Sequence, residues 1–94
     1  MLGQTLKHTD METINIKVTN GMKDGEFAVL YKQGRKLLGW TQRWRDGLWH
    51  NHKKGYSFSA SETLWRAVEV MKEHIKGTLD MFGNKNINFQ MPEE

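Results

Sequence analysis

The chain contains no cysteine, a single proline and no long apolar run. Without cysteine it has no disulfide scaffold, no thiolate zinc site and no cysteine nucleophile. Because no run of about 18 apolar residues occurs, we expect no contact with a membrane. The first ten residues lack the apolar centre of a secretory signal. We therefore expect an intracellular protein, cytoplasmic or nucleoid-associated, or located in the host cytoplasm if a phage encodes it.

The chain is short, and 94 residues suffice for one small domain only. Its core is expected to be modest, which favours burial of further apolar surface against a partner subunit. The four tryptophans, two tyrosines and four phenylalanines argue against a disordered chain. These features exclude a multi-domain enzyme.

The first half of the sequence has the two-residue period of β-strands. Residues 1–12 show no period and are predicted to be a flexible arm. Residues 13–19 alternate apolar and polar side chains, residues 26–32 do the same, and a long strand follows at about residues 35–45. A fourth strand is predicted to start near Leu48, with a segment around Tyr56–Phe58 that continues or follows it. Asn-Gly, Asp-Gly and Gln-Gly pairs supply the turns between these strands.

The period then changes to that of a helix. Ser59 or Ser61 is a predicted N-cap, and Gly77 is a predicted C-cap. An apolar stripe with one tryptophan beside it runs along the helix through Leu64, Trp65, Val68, Met71 and Ile75.

The predicted fold is α+β, with a four-stranded curved antiparallel sheet followed by one C-terminal amphipathic helix (ββββα). The helix covers one sheet face and leaves the other free. Residues 13–77 form this domain. Residues 78–94 are a C-terminal extension, which is too apolar to be a solvated tail and is expected to dock on the domain or on a partner.

Positive charge is concentrated in the middle of the chain. The overall charge is +3, but residues 31–54 contain seven cations and one carboxylate. Three of the four tryptophans lie in the same stretch. Cations interleaved with aromatic rings are typical of proteins that bind single-stranded nucleic acid, because the cations contact phosphates and the rings stack on unpaired bases. The alternative is structural, since strands favour Trp and Tyr and charged residues protect sheet edges.

Three segments resemble the transcriptional coactivator Positive Cofactor Four (p15) family, and especially its small bacterial and phage-type members. Residues 27–44 resemble the paired strands of that family, with a Gly-containing turn between them. The block Lys53-Lys54-Gly55-Tyr56-Ser57-Phe58 resembles the basic signature that precedes the family helix. Residues 59–70 match the start of that helix. The resemblance covers about residues 13–77.

The resemblance implies a homodimer that binds single-stranded or unwound DNA without sequence preference. Such a protein acts in transcription, DNA replication, recombination or repair, and has replication or transcription proteins as possible partners. Cations and a glycine are carried over by position as DNA-binding residues: Lys32, Arg35, Lys36, Arg43, Lys53, Lys54 and Gly55. Trp44 is the expected stacking residue, with Trp40 and Tyr31 as further candidates. The helix residues expected to build the core and the dimer interface are Leu64, Trp65, Val68, Met71 and Ile75.

Other chemical signals are weak. His50 and His52 would lie on one side of an extended segment, which suits a metal, but no third ligand is close in sequence. Solvated loop histidines beside a DNA surface are the favoured interpretation. No Ser, His and Asp arrangement is legible, so we expect no enzyme, no cofactor and no metal.

Two alternatives to DNA binding remain. The basic strand surface would meet an acidic protein surface if the chain is a small interaction module, such as a phage-like modulator of a host enzyme. A less favoured alternative is binding of structured RNA.

Overall fold

A computed structural model describes residues 12–92 and contains six strands and one helix in these residues. In chain order the elements are β1 (Glu12–Lys23), β2 (Glu26–Gln33), β3 (Lys36–Arg43), β4 (Trp49–Lys53), β5 (Tyr56–Ser61), α1 (Leu64–Leu79) and β6 (Lys85–Gln90).

The strands form one sheet in the order β5-β4-β3-β2-β1-β6. Neighbours from β1 to β5 are antiparallel, and β6 pairs with β1 in parallel. The α+β class and the helix that follows the antiparallel strands agree with the sequence analysis. The prediction of four strands in a purely antiparallel sheet is wrong, because the described chain has six strands and a mixed sheet.

Tight turns join β1 to β2 and β4 to β5. The predicted Asp24-Gly25 turn is confirmed, whereas the Asn20-Gly21 pair lies inside β1 and makes no turn. Both central residues of the β1–β2 turn, Asp24 and Gly25, have positive φ angles of 55° and 82°. Lys54 and Gly55 in the β4–β5 turn have φ angles of 53° and 88°. Two successive positive φ angles match the twist of a two-residue hairpin, and glycine adopts them without a steric penalty. Residues 53–58 therefore form the β4–β5 turn with its flanking strand ends, and the rest of β5 separates them from the helix.

The core lies between the sheet and α1. The alternation in β1 predicted Ile14, Ile16 and Val18 on one face, and all three are buried there. From the helix, Met71 and Ile75 pack against them. At Gly39 in β3 an added Cβ would collide with the carbonyl oxygen of His52 and with the Met71 side chain, so the helix approaches the sheet closely at this position.

Both helix ends differ by a few residues from the sequence expectation. Thr63 is the N-cap rather than Ser59 or Ser61, and its hydroxyl accepts a hydrogen bond from the backbone N–H of Arg66 at 3.1 Å. Ser59 and Ser61 belong to β5. Gly77 lies inside the helix, which ends at Leu79 with Asp80 as C-cap.

The segment after the helix crosses to the far edge of the sheet. There β6 pairs with the first half of β1, with Ile87 beside Ile14 and Phe89 beside Ile16. Ile87 and Phe89 pack against the core cluster, which accounts for the apolar character of this segment. Most of the predicted arm, residues 1–11, lies outside the described residues, and Glu12 is the first residue of β1.

A buried chain of polar side chains ties four strands to the helix. The Tyr31 hydroxyl lies 2.8 Å from Thr41 Oγ1, and Thr41 donates to Asn51 Oδ1 at 2.5 Å. The Asn51 amide nitrogen donates to Ser59 Oγ at 3.0 Å and to the carbonyl oxygen of Ala67 at 2.9 Å. Burial raises the pKa of Tyr31 to about 12, with an opposing effect from its hydrogen bond to Thr41. We refer to Tyr31, Thr41, Asn51 and Ser59 as the buried polar network.

The described helix is neither long enough nor apolar enough to span a bilayer.

Candidate nucleic-acid interface

The sheet face opposite α1 carries a group of aromatic rings. Asn51 points to the helix, because its amide nitrogen donates to the carbonyl oxygen of Ala67. The adjacent residues His50 and His52 therefore point to the other face, since side chains alternate along a strand. We call this other face the open face. Trp40 lies there too, directly across from His52.

Trp44 is held on the open face by two contacts. Its ring stacks on the His50 ring with a centroid distance of 3.6 Å and an interplanar angle of 10°. Its Nε1–H donates to Nε2 of His52 at 2.9 Å. The side chain still has 42% of its surface exposed. Trp44 is thus an indole of fixed orientation with accessible surface.

Trp40 is a poorer stacking platform than Trp44. Its ring is parallel to that of His52, with a centroid distance of 5.0 Å and an angle of 5°. The Lys23 ammonium lies 4.6 Å from the ring centroid, in cation–π geometry. The Trp40 Nε1–H is buried and has no hydrogen-bond partner among the described residues. The contacts of Trp40 therefore support the cluster of Trp40, Trp44, His50 and His52, which we call the aromatic cluster.

A carboxylate and a hydroxyl fix the ring of His50. Its Nε2 lies 2.9 Å from Asp46 Oδ2, and its Nδ1 lies 3.0 Å from Ser57 Oγ. The backbone N–H of Leu48 and the His50 ring lower the pKa of Asp46, so its carboxylate is the acceptor. With the proton on Nε2 facing Asp46, Nδ1 accepts from Ser57. The sequence analysis did not detect this Asp-His-Ser arrangement, which brings together residues from the β3–β4 loop, β4 and β5.

An aspartate, an imidazole and a serine in one chain of hydrogen bonds resemble the groups that activate a serine nucleophile. Here, however, Trp44 covers one face of the His50 ring at 3.6 Å. The chain of hydrogen bonds sets the orientation of His50, and the stacking contact passes that orientation on to Trp44. We therefore interpret Asp46, His50 and Ser57 as positioning residues for Trp44.

The expectation that His50 and His52 are solvated loop residues is wrong. Both lie in β4, with only 8% and 9% of their surfaces exposed, because the two tryptophans pack on them. Among residues 12–92, no group of three His, Asp or Glu side chains is arranged to hold a metal ion.

The basic stretch is divided between the two ends of the sheet. The β2–β3 and β4–β5 turns lie at the same end, because the intervening strands are antiparallel. We call this the lysine-rich end. It gathers the five cations Lys32, Arg35, Lys36, Lys53 and Lys54.

Arg43 and Arg45 lie at the opposite end, beside Trp44. They line a shallow depression of about 700 Å³ together with Lys23 and three carboxylates, Asp24, Glu26 and Asp46. The charges of this depression balance. The excess positive charge of residues 31–54 is therefore concentrated at the lysine-rich end.

Several predicted site residues are placed differently from expectation. Tyr31 has no exposed surface and is part of the buried polar network, so it cannot stack on a base. Lys53 contacts the helix side of the sheet, where its Nζ lies 3.0 Å from His74 Nε2. Gly55 is required by the positive φ of its turn.

The structure divides the predicted dimer-interface residues between the core and the surface. Met71 and Ile75 have 1% and 4% of their surfaces exposed and are core residues of their own chain. Leu64 and Val68 are half-buried. Trp65, in contrast, has 71% of its surface exposed.

We predict that acid weakens the fold through His52 and His74. Burial lowers the pKa of each histidine below its ordinary value of 6.5. The charge of His50 lowers the pKa of His52 further, and the charge of Lys53 lowers the pKa of His74 further. Lys23 also lowers the pKa of His52, and Asp24 opposes the shift. Below pH 6.5 these histidines bind protons more readily in the unfolded chain than in the folded one. The free energy of unfolding therefore has its full value above pH 6.5 and falls with the pH until the folded-state pKa values of the two histidines are reached.

Urea unfolding at pH 7.5 and pH 5.0 measures this effect, and we expect a lower midpoint at pH 5.0. A variant with His52→Gln and His74→Gln is expected to lose most of the difference. An equal midpoint at both pH values for the unaltered chain would contradict the assignment.

The chain matches no protein-family model, no curated protein and no solved structure.

Proposed function

We propose that this chain is a single-stranded DNA-binding protein without sequence preference, which binds through the open face of its sheet. The observation that carries the proposal is Trp44, an indole held by His50 and His52 with 42% of its surface accessible. Exposed aromatic rings beside cations bind single strands because every base has a face that can stack, whereas a duplex hides its base faces.

The position of the lysine-rich end supports the same interpretation. The Trp44 ring reaches His52, and Lys54 follows His52 by two residues along the chain. β4 ends at Lys53, one residue beyond His52, and the turn begins at Lys54. A strand whose base stacks on Trp44 would thus have phosphates within reach of the turn cations. Phosphate contacts of this kind supply affinity and carry no sequence information.

The proposal is tested by titrating the intrinsic tryptophan fluorescence with oligo-dT at two salt concentrations. We expect quenching on binding, and an affinity that falls with salt by a slope of about −0.7 per phosphate neutralised. The variant Lys53→Glu, Lys54→Glu is expected to stay folded and to lose most of its affinity, with a smaller salt slope. Binding of an RNA strand of equal length in competition separates DNA from RNA preference.

Lys76→Glu with Lys85→Glu is the matched control, because it makes the same charge change in a different depression. This control is expected to bind oligo-dT far better than the turn variant. An equal loss of oligo-dT affinity in both variants would show that binding depends on the net charge of the protein and not on the position of the lysines. Unchanged affinity of the turn variant would reject the role of the β4–β5 turn.

We further propose that the protein acts as a homodimer through a groove beside the first half of α1. The groove has a volume of about 510 Å³ and is lined by Leu64, Trp65, Val68 and residues of β1 and β2. Trp65, at 71% exposure, is the large side chain that a partner would bury. Sedimentation equilibrium is expected to give a dimer for the unaltered chain and a monomer for Trp65→Ser. A monomer at all concentrations would contradict the proposal.

The same groove favours the second candidate function, a protein-interaction module. An apolar groove next to a tryptophan suits a protein partner better than a polynucleotide. Failure of oligo-dT to quench fluorescence, together with a monomeric chain, would favour this candidate.

A further inference from the structure

A cavity between the lysine-rich end and the second half of α1 combines aliphatic walls with a cationic rim. Its volume is about 330 Å³, at the lower end of the range of small-molecule sites. The walls include Leu38 from β3 and Met71, Ile75 and Leu79 from α1. Five of the lining side chains are aliphatic, whereas only Trp40 and His74 carry rings, so the lining is suited mainly to a flexible apolar chain.

The rim is formed by Lys36, Lys53 and Lys54, and no carboxylate lines the cavity. Among the ion pairs formed by residues 12–92, none involves these three lysines. Three lysines that line one cavity, with no carboxylate in its lining, are suited to a phosphate dianion, which lysine binds as a point charge.

His74 adds a second observation inside this cavity. Its Nε2 lies 3.0 Å from the Lys53 ammonium, and its ring packs on Phe58 with a centroid distance of 4.3 Å. Lys53 from β4 is the charged group in contact with the ring, and the other charged groups of the cavity are Lys36 and Lys54. A neutral imidazole thus accepts a hydrogen bond from an ammonium, and the site repels a further proton.

We propose that this cavity binds an amphipathic anion, a phosphate monoester with a short aliphatic body. The aliphatic body packs on Leu37, Leu38 and Leu79, the aliphatic wall residues that keep accessible surface, and the phosphate sits between the lysines of the rim. The cavity volume of about 330 Å³ leaves room for a short aliphatic chain below the phosphate. The proposal does not rest on DNA binding by the open face.

The bound dianion has a consequence for His74. A negative group at the rim offsets the charge of Lys53, so His74 binds a proton more readily in the complex. Binding therefore raises the pKa of His74. The second pKa of a phosphate monoester is about 6, so the ligand loses charge in the same pH range, and the His74 resonance rather than the affinity reports this effect. A phosphate held only by exposed lysine side chains elsewhere would leave the titration of His74 unchanged.

The test uses four probes on the full chain: octyl phosphate, inorganic phosphate, octyl glucoside and dAMP. Isothermal titration calorimetry measures affinity, and the His74 Cε1–H resonance measures the pKa. We expect octyl phosphate to bind at least tenfold more tightly than each of the other three and to raise the pKa of His74. If inorganic phosphate binds as tightly as octyl phosphate, the aliphatic walls have no role in binding. Tighter binding of dAMP than of octyl phosphate would show that the ligand is a nucleotide and not an aliphatic phosphate.

Variants separate the rim from the walls. The variant Lys36→Gln, Lys53→Gln is expected to bind octyl phosphate at least tenfold more weakly. Thr78→Trp places a ring at the cavity lining from an exposed position and is expected to abolish binding without altering the core. Lys76→Gln, on the same helix outside this cavity, is the control and is expected to bind normally. Normal binding by the lysine variant or by Thr78→Trp would overturn the site, whatever the result with oligo-dT.

Discussion

Replacing Asn51 with alanine is expected to lower the free energy of unfolding by about 3 kcal/mol, because the buried polar network loses its central member. Asn51 accepts from Thr41 and donates to Ser59 and to the carbonyl oxygen of Ala67. Without its amide, the buried hydroxyl of Thr41 and the helix carbonyl lose a partner in a site closed to water. Chemical denaturation with urea measures the loss.

Asn88→Ala is the matched control for this substitution. Asn88 donates to Asn15 Oδ1 at 2.9 Å on an exposed part of the sheet. Water replaces this partner, so the change is expected to stay within about 0.5 kcal/mol. A similar cost for the two variants would show that the network contributes no more than a surface hydrogen bond.

Replacing Trp44 with alanine is expected to weaken oligo-dT binding by about 10- to 100-fold at fixed salt. Stacking on an aromatic side chain contributes about 1–3 kcal/mol per base, and 1.4 kcal/mol corresponds to tenfold. The salt slope is expected to stay the same, because no phosphate contact is removed. This pattern distinguishes the platform from the turn cations, whose reversal lowers the slope.

Trp44→Phe is the conservative variant and is expected to retain part of the affinity, since a smaller ring still stacks. Its indole N–H is absent, so it also measures what the hydrogen bond to His52 contributes to orientation. If Trp44→Ala keeps its fold and binds oligo-dT with full affinity, Trp44 is not the stacking residue and the proposed function loses its main support.

Local patterns in the sequence predicted the elements whose partners are near in sequence. The alternation of Ile14, Ile16 and Val18 identified both a strand and its buried face, because one side of β1 rests on the core. The helical spacing of Met71 and Ile75 likewise identified buried positions. Turn chemistry at Asp24 and Gly25 set the first hairpin.

Features that depend on distant residues were missed. The alternation of Ile87 and Phe89 with polar residues was a signal for β6, but its parallel pairing with β1 depends on a crossover that no local pattern encodes. Thr41 and Asn51 are polar residues in strands, and only the register of those strands shows that both point to the helix.

The candidate site shows the same limit. Charge and aromatic content located the stretch that carries Trp44 and the turn lysines. Tyr31 was misplaced because β-strands use the same aromatic residue on either face, and its alternation with Val29 favoured the buried side. The aromatic cluster depended on rings brought together across β3 and β4, with a loop aspartate between them.

The parallel pairing of β6 with β1 has a consequence for how the chain reaches its final form. The side-chain bond between Asn15 and Asn88 joins positions 73 residues apart. Such contacts close the largest loops and are made late, since the chain entropy lost must be recovered by many contacts at once. We therefore expect the antiparallel hairpins to assemble first. Until β6 arrives, half of β1 then has an unpaired edge able to join another molecule. Aggregation during refolding should thus depend on protein concentration chiefly before this final strand is in place.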